Sequence, residues 1–164
     1  MLGSDVRRLV ELCDVFVQYH FDGICARDTL IAIRPQQHFI IVNTLTSQSG
    51  PDETGHWILL LRSNSVLHCW DPLGWRSANN DMFLNTDLMK DIRHVMLSVR
   101  PYQPPDSTLC GAYCVFTACQ LLMHIDEPIS HVLSETFADD LPENEAKVVS
   151  FIHILQSQMS EQET

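Results

Sequence analysis

Between Thr108 and Ile125 the sequence reads TLCGAYCVFTACQLLMHI, a segment that is apolar almost all the way round. A helix with no polar face is stable in water only when other elements cover it on several sides, so this one is expected at the centre of the fold. The chain has 164 residues, enough to bury roughly 70% of the surface its unfolded form exposes. One domain over residues 1–164 is expected, with a polar tail, SEQET, from Ser160.

The flanking segments supply the rest of the fold. Val6, Leu9, Val10, Cys13, Phe16 and Val17 recur at helical spacing after Ser4, a good N-cap residue, and predict an amphipathic helix over 5–19. HFIIVNT (38–44) and HWILLL (56–61) are β-prone runs separated by the polar loop 45–55. Ser63-Asn64-Ser65 is a turn signal that joins the second run to a third, VLHCW (66–70), and the resulting hairpin is closed by Asp71-Pro72-Leu73-Gly74. Residues 79–91 have helical character, and HVMLSV (94–99) reads as a buried strand stopped by Arg100-Pro101. Segments 128–137 and 142–159 each open on Pro and show helical apolar spacing.

Charge and cysteine usage exclude several classes of function. Ten Lys and Arg against 21 Asp and Glu give a formal charge of −11, which opposes wide phosphate neutralisation, so DNA is not an expected partner. Charged residues interrupt the N-terminal apolar positions, and no apolar run reaches about 18 residues; neither an export signal nor a membrane span is expected. The six cysteines then read as reduced thiols of an intracellular protein. They include no C-x2-C pair, so no metal site and no cofactor are expected.

One cysteine differs from the others in position. Cys110-Gly111 follows a Pro-rich loop and opens the central helix, where unpaired amide N–H groups and the positive end of the helix dipole stabilise a thiolate. Such a nucleophile needs a base. His56, at the start of a strand, can supply it, with the Trp57 ring stacking on the imidazole and shielding it from water. Asp71 ends the neighbouring hairpin strand on the same edge as His56 and can orient its Nδ1–H. Gln103, seven residues before Cys110, can join the Cys110 backbone N–H in holding an oxyanion. Taken singly these residues have plainer readings: cysteine fills cores, Asp before Pro forms turns, and loop glutamines are solvated. Their joint arrangement points to acyl transfer.

Gln103-Pro104-Pro105-Asp106-Ser107-Thr108-Leu109-Cys110-Gly111 resembles the Q-x-P-[ND]-x-x-x-C-G signature of the adenain-like cysteine proteases, the family of the adenovirus maturation enzyme, and of the related SUMO-specific proteases. Val42-Asn43-Thr44, Gly55-His56-Trp57 and Cys69-Trp70-Asp71-Pro72-Leu73-Gly74 are similar, in the same order, to that family's V-N-T, H-W and [DE]-P-[LF]-G elements. The resemblance covers residues 39–120 and is looser outside them.

The resemblance implies an α+β fold, with a mixed central sheet flanked by helices and the central helix carrying the catalytic Cys at its N-terminus. It makes His56, Asp71 and Cys110 the triad and Gln103 the oxyanion donor, with Trp57 and Gly111 in support. It further implies an endopeptidase that cleaves after Gly, because a narrow tunnel admits no side chain near the scissile bond. Viral precursor proteins are the leading substrates. A ubiquitin-like protein isopeptidase is the alternative within the fold, and a catalytically silent peptide-binding module the alternative outside it. The expected setting is intracellular, the host nucleus or the virion, and the expected state a monomer. Adenain is stimulated by DNA and by a disulfide-tethered peptide. Here the tethering position falls near Ile92 and residues 70–109 contain no cysteine, so covalent tethering is not expected, and the −11 charge opposes DNA stimulation. A non-covalent activating peptide pairing with the 94–99 strand is compatible with the sequence.

Overall fold

The computed structural model describes residues 3–18, 23–30, 38–49 and 55–162. Five strands form one mixed sheet in chain order: β1 (Gly23–Ala26), β2 (His38–Asn43), β3 (Trp57–Ser63), β4 (Val66–Trp70) and β5 (His94–Leu97). The two outer pairs, β1 with β2 and β4 with β5, are parallel, and the two inner pairs are antiparallel. Helices α1 (Gly3–Glu11), α2 (Asp14–Gln18), α3 (Cys110–Met123), α4 (Ile129–Thr136) and α5 (Leu141–Gln162) complete the α+β architecture. Among the described residues, no helix is long and apolar enough to cross a membrane.

The alternation of β3 divides the core in two. Trp57, Leu59 and Leu61 join Phe39 and Ile41 in one apolar cluster with α1, α2 and α3. Ile58 and Leu60 point the other way, into a second cluster with Ile40, Val42, Leu67, Met82 and Leu88. A strand buried on both faces is a continuous apolar run, which is what WILLL is. In α3 only Phe116, Gln120 and Met123 escape full burial, as its all-round apolar sequence predicts.

Three expectations need correction, and one strand carries no sequence signal. The N-terminal helix is two helices: Cys13 N–H bonds back to Val10 O, a tight turn that ends α1, and α2 starts at Asp14. Tyr19, the last residue of the predicted helix, and Gly50–Thr54 of the predicted loop lie outside the described residues. Residues 79–91 do not form an α-helix. Ser77–Leu84 is a 3-10 segment, and the Asn85 side chain then accepts from the N–H groups of Asp87 and Leu88, a local bond that competes with helical continuation. Strand β5 is not buried, since it closes the sheet edge and leaves Met96 55% and Leu97 39% exposed. Finally β1 went unrecognised, because four half-buried residues at an edge carry no alternation.

Candidate active site

The β3–β4 hairpin places the first two site residues. Leu59 pairs with Trp70, so His56, just before β3, and Asp71, just after β4, emerge at the same end of the hairpin. Asn43, the last residue of β2, and Thr44 just after it hold the approach to His56. Thr44 N–H donates to His56 O at 2.8 Å, and His56 N–H donates to Thr44 Oγ1 at 3.2 Å. Asn43 accepts from Leu45 N–H at 2.9 Å and packs so tightly on Gly55 that a Cβ there would collide with its side-chain oxygen. The V-N-T and G-H-W elements are thus two halves of one backbone clamp on the histidine.

His56 Nε2 lies 2.6 Å from Asp71 Oδ1. This corrects the expected Nδ1 pairing. The Cys110 thiol accepts a hydrogen bond from Trp57 N–H, which sets the sulfur close to the backbone of the His56-Trp57 pair. Cys110 also hydrogen-bonds to the His56 ring. With Nε2 taken by the carboxylate, Nδ1 is the ring nitrogen left for the thiol. The Trp57 indole, 2% exposed, is a member of the helix-side core, within 4 Å of where a Gly3 side chain would begin; its N–H is what touches the sulfur.

Asp71 is fully buried and well supported. Oδ1 also accepts from Leu73 N–H at 2.8 Å, and Oδ2 accepts from Asn79 Nδ2 at 3.3 Å. Its own N–H donates to Ser98 Oγ at 2.9 Å. The chain turns sharply after it, Gly74 N–H returning to Asp71 O, and Gly74 adopts φ +80° where a Cβ would stand 2.7 Å from Val99 O. Glycine alone fits that position without strain.

Protonation follows from these contacts. Burial disfavours the charged imidazole, yet the hydrogen bonds and negative charge of Asp71 and Cys110 outweigh it and push His56 up to about 9. For Cys110 burial works against the thiolate, but the His56 and Trp57 hydrogen bonds and the imidazole charge hold the thiol below its ordinary value. The dipole of α3, whose first residue is Cys110, acts in the same direction. Gly111 is buried in that first turn. By contrast, burial pushes Cys69 up to about 12 and Cys25 to about 11, and raises Cys114 well above the usual thiol range.

Gln103 is not a solvated loop residue; it is 1% exposed. Its N–H and that of Tyr102 both donate to Pro72 O, which ties this loop to the segment after Asp71. Side-chain Nε2 donates one hydrogen to Ser107 O at 2.9 Å, and Oε1 is buried without a partner among the described residues. The loop between Gln103 and Cys110 is braced from α5: Ser107 Oγ donates to Glu145 Oε1 and Tyr113 Oη to Glu145 Oε2, at 2.7 and 3.0 Å. Buried Asn144 donates to Tyr102 O and Ala138 O and accepts from Ala138 N–H.

His56, Asp71 and Cys110 are therefore brought into one hydrogen-bonded chain, with Gln103 on the loop that leads to the cysteine. Sequence reasoning missed Asn79, Ser98, Asn144 and Glu145, which carry no spacing signal and become visible only once the chain is folded. Among the described residues, no group of three His, Cys, Asp or Glu side chains could hold a metal ion. No protein-family model and no curated protein matches the chain.

Proposed function

We propose that this chain is a cysteine endopeptidase with an adenain-like fold, cleaving after glycine. The observation that carries the reading is the continuous relay from buried Asp71 through His56 to the Cys110 thiol at the first turn of a buried helix. The mixed sheet with its central helix supports it.

In the proposed reaction the Cys110 thiolate attacks the scissile carbonyl carbon. The oxyanion is received by the Cys110 N–H and the second hydrogen of Gln103 Nε2. The His56 imidazolium delivers its proton to the leaving amine, and water, deprotonated by neutral His56, then releases the acyl group from sulfur. Asp71 keeps the ring oriented and offsets its charge without taking the proton. The biological role we propose is maturation of viral capsid or core precursors, exercised in the infected-cell nucleus or the virion. The order of the four motifs supports that role.

The test is to incubate the reduced protein with Gly-x peptides and, separately, with ubiquitin-like isopeptide conjugates. Cleavage after Gly in the peptides, abolished in Cys110→Ala, supports the proposal. Turnover of the conjugates alone would assign the isopeptidase role. Tight binding without turnover of either would make the chain a silent binding module.

A further inference from the structure

Two thiols outside the triad lie against each other. Cys13 occupies the break between α1 and α2, and Cys119 lies on α3, the helix that begins with Cys110. Their sulfurs are 2.9 Å apart, and the side chains are 5% and 4% exposed. The two side chains already point at one another, and less than an ångström of further approach separates this contact from the S–S bond length of about 2.05 Å.

The two thiols also act on one another. The hydrogen bond between them, in which either sulfur can donate, favours a thiolate on one of the two against burial and the nearby Asp14 charge. Whichever sulfur carries the thiolate is the nucleophile, and the other resolves.

We propose that Cys13 and Cys119 are a site of reversible oxidation, closing a disulfide that staples the α1–α2 junction to the catalytic helix. The oxidant is hydrogen peroxide, small enough to reach a thiol this enclosed. With Cys13 as the thiolate, its sulfur attacks one peroxide oxygen and the O–O bond breaks, giving a sulfenic acid and hydroxide, which takes up the proton that Cys13 released. The Cys119 sulfur then attacks the Cys13 sulfur and expels the sulfenic oxygen, which leaves as water with the Cys119 proton. Two thiols and one peroxide become one disulfide and two waters.

The bond would join positions 106 residues apart. Constraining so long a loop in the unfolded chain is expected to raise Tm by roughly 5–15 °C. The experiment treats the full-length protein with limiting peroxide, alkylates it under denaturing conditions, digests it and maps linked peptides by mass. A Cys13–Cys119 linkage that dithiothreitol reverses, formed equally in Cys110→Ser and accompanied by the thermal shift, supports the proposal. Cys119→Ala should lose both linkage and shift. Wild-type protein whose Cys13 and Cys119 both alkylate after oxidation, or link to other cysteines instead, would overturn it. Since the readout is a linked peptide, the result stands apart from whether the protein cleaves any substrate.

Discussion

Asn79 donates to Asp71 Oδ2, the carboxylate oxygen that His56 leaves open. It reaches the site from a 3-10 segment, with its own side chain buried. The carboxylate is therefore held from both sides, and the imidazole is oriented by a group that cannot itself rotate. Asn79→Ala should lower kcat about 3- to 30-fold with KM little changed, the size of effect expected for a supporting hydrogen bond. Asp71→Asn should cost more than Asn79→Ala and less than His56→Ala. Steady-state kinetics on one Gly-x peptide orders the three.

The pH profile is set by the His56–Cys110 pair. Activity should rise as pH climbs through the depressed Cys110 value and fall as the imidazolium deprotonates near pH 9. Stability follows the same groups. The raised His56 value contributes stability that is full below about 6.5 and lost as pH rises through about 9. The depressed Cys110 value contributes stability present above its unfolded value and lost as pH falls through the folded one. Cys110→Ala removes one of the two partners that raise His56, so NMR titration should find its imidazole pKa lower than in the parent protein.

Gln103→Ala should reduce kcat about 10- to 1000-fold with little change in KM, as for other lost oxyanion donors. Because Gln103 Nε2 also anchors Ser107 O, circular dichroism of the variant separates a loosened loop from a lost donor. A rise in KM alone would make Gln103 a binding residue.

A mild thiol electrophile in substoichiometric amount should modify Cys110 first. Cys25, Cys69 and Cys114 are all raised by burial, and a thiol that stays protonated is a poor nucleophile; Cys13 and Cys119 are buried with their sulfurs facing each other at 2.9 Å, which hinders a reagent larger than peroxide. Peptide mapping after a short exposure reads this directly. Early modification of Cys69 or Cys114 would contradict the assignment.

Gly74→Ala should destabilise the protein by about 1–3 kcal/mol, because a Cβ at φ +80° also meets Val99 O. Chemical denaturation measures the loss. The same substitution displaces the turn after Asp71, so activity should fall further than the unfolded fraction accounts for.

The strands and helices that were legible in the sequence are those whose burial is one-sided or complete. WILLL, VLHCW and the α3 segment announce their environment through pattern alone. What stayed hidden depends on contacts between distant residues. That His56 turns Nε2 rather than Nδ1 toward Asp71 is a matter of ring orientation, which no spacing rule encodes. Strand β5 looked buried because HVML is apolar, whereas its place at the sheet edge is a matter of topology. The burial of Gln103 was not legible, since a loop glutamine taken singly is solvated, yet Pro72 O and Ser107 O draw it inside.

The brace that Glu145 and Asn144 provide has a consequence for timing. Both residues sit in the first turns of α5, far downstream of the cysteine whose approach loop they hold. During synthesis the sheet, the histidine and the nucleophile all leave the ribosome before that brace exists. A nascent chain would thus carry Cys110 on an unsupported loop until α5 docks. Under the proposed function, hydrolytic competence would arrive only with that last helix.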